Sequence, residues 1–87
     1  MTDEEVLELI KDLAIEDRYV LTLHAKERLL QRHLTDNDVK DILINPVRVV
    51  RRDVGKNGKC KYKVQGGRKN RKLAVVIEHN IIVITVM

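Results

Sequence analysis

The chain has 87 residues, enough for one domain around one modest core, and carries 17 Lys/Arg against 13 Asp/Glu. No run approaches the roughly 18 apolar residues of a membrane span, and the single Cys60 excludes an internal disulfide. Two tyrosines with no Phe or Trp exclude the aromatic stacking platform of the common single-strand nucleic-acid readers.

Charge is unevenly spread along the chain. Residues 1–17 hold seven acids and one lysine, a net of −6, whereas residues 18–87 hold sixteen Lys/Arg against six acids, a net of +10. A basic body behind an acidic first segment favours polyanionic partners: RNA, DNA or an anionic membrane. The opening TDEEVLELIKDLAIED is acidic where a secretory leader is basic. No Cys/His cluster has zinc spacing. A cytoplasmic protein with no membrane partner, no metal and no cofactor is the expectation.

Thr2 can cap a first helix, with Glu5 closing a capping box. Val6, Leu9, Ile10 and Leu13 then recur at helical spacing. The acids crowd the first turn, where the helix dipole favours them. RYVLTL is extended in character and is a candidate short strand. Thr22 can cap a second helix that ends near His33. Thr35 can cap a third, with Asp36 and Asp38 in its first turn and Val39, Ile42 and Leu43 as its apolar face; Asn45-Pro46 stops it.

From Val47 the period changes from helical to alternating, and VRVVRRD, KCKYKVQ, KLAVVIEH and IIVITV read as four strands. Turns are expected across Gly55–Gly58, from Gly66-Gly67 to Arg71, and near His79-Asn80. Connections this short make hairpins. The expected fold is therefore α+β: N-terminal helices packed on a four-stranded antiparallel meander, with residues 1–87 one domain. Cys60, Tyr62 and Val64 share one face of their strand, and Lys59, Lys61 and Lys63 the other. That predicts helices on one side of the sheet and a cationic surface on the other. The last two strands are apolar on both faces, so both faces are expected to be buried, under the first helix or a second subunit.

Within HAKERLLQRHLTDNDV, residues 24–39, His24, Arg28 and Arg32 are spaced four apart and form one cationic helix stripe, with Ala25 and Leu29 as anchors beside it. An imidazole beside two permanent cations suits phosphate chemistry; a solvated helix face is the plainer reading. A second basic region comprises Lys59, Lys61, Lys63, Arg68, Lys69, Arg71 and Lys72, with Arg48 and Arg52 on the strand before it. It reads either as an RNA footprint or as lysines guarding a sheet edge. His33 suits a helix C-terminus, His79 a turn, and Cys60 the core. GKNGK lacks phosphate-loop spacing, and the absence of serine leaves acyl chemistry without support.

LTLHAKERLLQRHLTDNDVKDILINPVRVV, then KYKV, LAVVIE and IIVITV, together resemble the DUF4258 domain family over residues 19–87. The shared features are His-Ala, an Arg four and eight residues after the His, a capped helix ending in Asn-Pro, and a final Ile-Thr-Val strand. The resemblance implies the fold of barnase-, EndoU- and RelE-like nucleases, metal-independent ribonuclease toxin activity, and an antitoxin partner. Matched by position, its motif residues are His24, Arg28, Arg32 and Thr85. Most relatives have Gly-Ile after the second Arg, where this chain has His33-Leu34. The acidic first helix lies outside the resemblance.

The leading functional expectation is RNA cleavage by attack of the ribose 2′-OH on the adjacent phosphorus. His24 would take the proton, and Arg28 and Arg32 would stabilise charge on the phosphorane. Thr85 or Tyr62 would position a phosphate. Two alternatives stand beside it. One is a non-catalytic RNA- or ribosome-binding module. The other is an interaction domain using the acidic helix and the last strands for a partner or a homodimer.

Overall fold

A computed structural model describes residues 1–55 and 58–87. Helix α1 (Asp3–Ile15) starts on a capping box. Thr2 Oγ1 accepts from Glu5 N–H at 3.2 Å, and Glu5 Oε1 accepts from Thr2 N–H at 3.0 Å. Its apolar residues Val6, Ile10, Leu13 and Ala14 are buried. Asp17 ends it at φ 58°, and Arg18 N–H donates back to the Leu13 carbonyl at 2.9 Å. Lys40 Nζ lies 2.6 Å from Asp17 Oδ1, neutralising an acid that the helix C-terminus alone would disfavour.

Strand β1 (Tyr19–Leu21), helices α2 (Leu23–Gln31) and α3 (Asp36–Ile44), and strands β2 (Pro46–Val54), β3 (Cys60–Gly66), β4 (Arg71–Ile77) and β5 (Ile81–Val86) follow. The strands form one sheet in the order β1-β5-β4-β3-β2. Strands β2 to β5 make the expected antiparallel meander. The four-stranded expectation falls short by one strand: β1 pairs parallel with β5, Val20 opposite Ile82, and the sheet is mixed. Hairpins announce themselves through turn residues, whereas this pairing joins segments some sixty residues apart with no local signal. The turn expected across Gly55–Gly58 includes Lys56 and Asn57, which lie outside the described residues.

All three helices cover one face of the sheet. Helix α1 packs on α3 and β2, α2 on β5, and α3 on β3 and β4. Tyr62, Val64, Leu73, Val75, Ile81, Val83 and Val86 meet the helices' apolar residues in a single core. The turn after β3 tucks beneath the end of α3. A Cβ on Gly66 would come 2.4 Å from the Asn45 carbonyl oxygen, and Gly67 sits at φ +73°, which favours glycine at both positions.

The opposite face is open. Register places Arg48, Arg51, Lys61, Lys63, Gln65 and Lys72 there at the β2 side, and Ala74, Val76, Ile82 and Thr85 toward β5. Helix α1 lies on the other side, so it does not cover this face. Ala74 is buried among its neighbours, but Val76, Ile82, Ile84 and Thr85 keep partial exposure. The last two strands are thus buried on the helix side and half-buried on the other, not buried on both.

Candidate functional site

Thr22 sets the position of α2. Its Oγ1 accepts from Ala25 N–H at 3.1 Å as the N-cap and donates to the Ile84 carbonyl at 3.0 Å. Its own N–H donates to the Val83 carbonyl at 3.0 Å. One threonine therefore pins the start of the helix to the middle of β5. Ala25 and Leu29 then bury against the core, and the His24–Arg28–Arg32 stripe lies beside them, turned about 100° around the helix axis.

His24 and Arg32 are exposed and Arg28 is half-buried. Arg28 Nη1 donates to Gln31 Oε1 at 3.4 Å. None of the three is paired with a carboxylate among the described residues, so their charge remains available to a ligand. Arg32 is the C-cap, and the next residue, His33, has φ 54°. Leu34 N–H donates to the Leu29 carbonyl at 2.9 Å and His33 N–H to the Leu30 carbonyl at 3.3 Å. That double closure is a Schellman motif, with Leu34 and Leu29 both buried as its apolar contact. The departure from Gly-Ile thus falls on a left-handed position, where a side chain is strained.

Thr85 is half-buried and belongs to the open face, in the row Arg51–Lys63–Ala74–Thr85 across four strands. No hydrogen bond joins it to the α2 stripe among the described residues. Tyr62 faces the helices, and burial raises its phenol above the usual range.

The second basic region divides in two. Arg48, Lys61 and Lys63 stand on the open face, where Arg48 Nε donates to Gln65 Oε1 at 2.8 Å and Lys61, opposite Asp53, and Lys63 form no ion pair among the described residues. Arg51, directly opposite Lys63, and Lys72, opposite Gln65, join them. Arg68 sits exposed in the β3–β4 turn, its N–H donating to Asp41 Oδ2 at 2.7 Å. The others are engaged. Arg52 turns to the helix side, binds Asp3 and the Met1 carbonyl, and lies 5.7 Å over the Tyr62 ring. Lys59 pairs with Glu78, whose carboxyl is held below its usual range by that contact. Lys69 reaches Asp38 at 3.2 Å. Arg71 Nη1 donates to the Met87 carbonyl at 3.4 Å.

The set expected on β2 was Arg48 and Arg52; the structure puts Arg51 beside Arg48 instead. The register slips between Val49 and Arg51. The bulge flips every later side chain of β2, so strict alternation from Arg48 lands on the wrong arginine. Arg51 Nε also holds Asp53 at 3.0 Å, which offsets part of the repulsion from Lys63.

The family model described as Domain of unknown function (DUF4258) matches residues 21–87. The chain belongs to the DUF4258 family. No curated protein and no solved structure matches it. The match opens inside β1, so α1 stands outside the family region while its four buried residues complete the same core. No helix is long and apolar enough to cross a membrane among the described residues, and no cluster of three His, Cys, Asp or Glu is placed to hold a metal there.

Proposed function

We propose that this DUF4258 domain binds RNA through its phosphates and cleaves it at the α2 stripe. The supporting observation is the seating of α2. A helix fixed to β5 through Thr22 presents one imidazole and two guanidiniums, none paired with a carboxylate among the described residues. In this reading His24 removes the ribose 2′ proton, and the 2′ oxygen bonds to phosphorus as the bond to the 5′ oxygen breaks. The departing 5′ oxygen takes its proton from water, to which the stripe is open. Arg28 and Arg32 neutralise charge building on the non-bridging oxygens. The products are a 2′,3′-cyclic phosphate and a 5′-hydroxyl. The kinship of fold with barnase-, EndoU- and RelE-like nucleases belongs to the same proposal.

Incubation of the purified chain with total RNA in EDTA tests it, with His24→Ala and Arg28→Ala alongside. Cleavage that is lost in His24→Ala while RNA affinity is nearly unchanged supports the base role. Arg28→Ala should weaken both binding and cleavage, because it serves ground state and transition state alike. Cleavage surviving intact in His24→Ala refutes the assignment.

The open face favours a second reading, RNA binding without cleavage. Arg51 opposite Lys63, together with Lys61, which forms no ion pair among the described residues, concentrates positive charge on a surface without aromatic rings. Affinity then falls with salt by about 0.7 log units per log unit for each phosphate contacted. Lys63→Glu weakens it more than His24→Ala does.

A further inference from the structure

The sheet has two edges, and they are built differently. The β2 edge begins with Pro46, carries register slips on either side of Arg48–Val49, and bears Arg48, Arg51, Arg52 and Asp53. Proline, bulges and charges are the usual guards against a second chain adding to a sheet. The β1 edge, Tyr19-Val20-Leu21, has none of them. Arg18 and Thr22 direct their backbone groups to β5, through Ile81 N–H and the Val83 carbonyl, both at 3.0 Å. The alternation of a parallel ladder then turns the N–H and C=O of Tyr19 and Leu21 outward, where no other strand among the described residues pairs with them.

Exposed apolar residues stand beside this edge. Val20 is 51 % exposed, and on the helix that follows Leu23 is 73 % and Leu30 78 % exposed. A groove of about 390 Å³ runs along β1, lined in part by Asp17, Lys26 and Asp36. It shares Lys26 and Asp36 with a second groove of about 450 Å³ that reaches Leu30. Along the chain, Asp17 precedes β1 and Lys26 follows it. An antiparallel pairing centred on Val20 sets Asp17 of one copy, which stays paired with Lys40 of its own chain, against the first turn of α2 in the other. That turn carries no acid and has the positive end of the helix dipole, with Lys26 one turn further on. The outward N–H and C=O of Tyr19 and Leu21 are complementary to those of a second copy under a two-fold axis.

We propose that the β1 edge is a homodimer interface, in which two copies pair Tyr19-Val20-Leu21 antiparallel and continue the sheet across the axis. Three residues per strand supply few hydrogen bonds, so the exposed leucines on α2 have to contribute much of the contact. The dimer is accordingly of moderate affinity, about micromolar.

Light scattering on the nuclease-treated, RNA-free chain at about 100 µM tests this, an excess over such a dissociation constant. A dimer gives twice the chain mass of 10.1 kDa. Val20→Lys and Leu23→Lys/Leu30→Lys, all at exposed positions, should return the mass to one chain with an unchanged circular dichroism spectrum. Arg51→Glu at the opposite edge of the sheet should leave the dimer intact. Hydrogen exchange gives a second readout: the Tyr19 and Leu21 amides should become protected as concentration rises. A wild-type chain that stays monomeric at that concentration overturns the proposal. So does a dimer that survives Val20→Lys, one broken by Arg51→Glu alone, or amide protection independent of concentration.

Discussion

On the helix side of the sheet Val64, Leu73, Val75, Ile81 and Val83 are wholly excluded from water, while their neighbours Lys63, Lys72, Val76 and Ile82 keep part of theirs. The strands are the same; only the parity of the residue differs. Period-two alternation thus lets one short segment serve two ends. In each strand one alternate half builds the core with the helices, and the other half faces the open side, where charge that the core could not tolerate collects toward β2. The gradient within the open face, basic toward β2 and aliphatic toward β5, has no counterpart on the helix side.

The strongest way to break this contrast is a pair of truncations on β4. Leu73→Ala should cost about 2–5 kcal/mol, because its cavity lies in a closed core. Val76→Ala, half-exposed on the other face, should cost less than about 1 kcal/mol. Denaturant unfolding reads both, and equal losses would mean that the open face is covered in solution.

A smaller effect concerns the helix layer. His33 holds a left-handed conformation at φ 54°, so His33→Gly should raise stability by about 0.5–1 kcal/mol, net of glycine's greater freedom in the unfolded chain. The thermal midpoint should rise by roughly 4 °C. No rise would show that the imidazole's interaction with the helix end outweighs the backbone strain.

Smaller still is the response of the open face to charge. Lys63→Glu replaces a like-charged pair opposite Arg51 with an attractive one, and stability should change by only a few tenths of a kcal/mol, upward. A large loss would mean that Lys63 is structural rather than available to a ligand.

The helix caps should respond to acid alone. The backbone N–H of Thr35 holds the Asp38 carboxyl below its ordinary value of 3.8, and that of Thr2 holds Glu5 below 4.5. Both groups bind protons more readily when unfolded. Their contribution is complete above those ordinary values and is lost as pH falls through the lower folded ones. The thermal midpoint should therefore decline on acidification below about pH 4.5, and Asp38→Asn should flatten that decline.

Most of the helix layer was legible because its signals are local. Thr2, Thr22 and Thr35 each cap the helix they precede, and Asn45-Pro46 ends α3. The strands were legible through alternation, and the buried Tyr62 and Val64 against exposed Lys61 follow it. What escaped was whatever depends on register or distant pairing. The bulge in β2 exchanges Arg51 for Arg52, and the parallel seat of β1 on β5 leaves no mark in either segment. The α2 stripe was visible as spacing, but its attachment through Thr22 to the Ile84 carbonyl was not. A hydroxyl that caps its own helix gives no hint that it also reaches a strand sixty residues away.

The most direct test of the proposed chemistry is mass spectrometry of the RNA ends left by the purified wild-type chain in EDTA. A 2′-hydroxyl attack assisted by His24 leaves 2′,3′-cyclic phosphate and 5′-hydroxyl ends, and none of either with His24→Ala. Ends carrying 3′-hydroxyl and 5′-phosphate, or RNA left whole by a chain that binds it, would contradict the account.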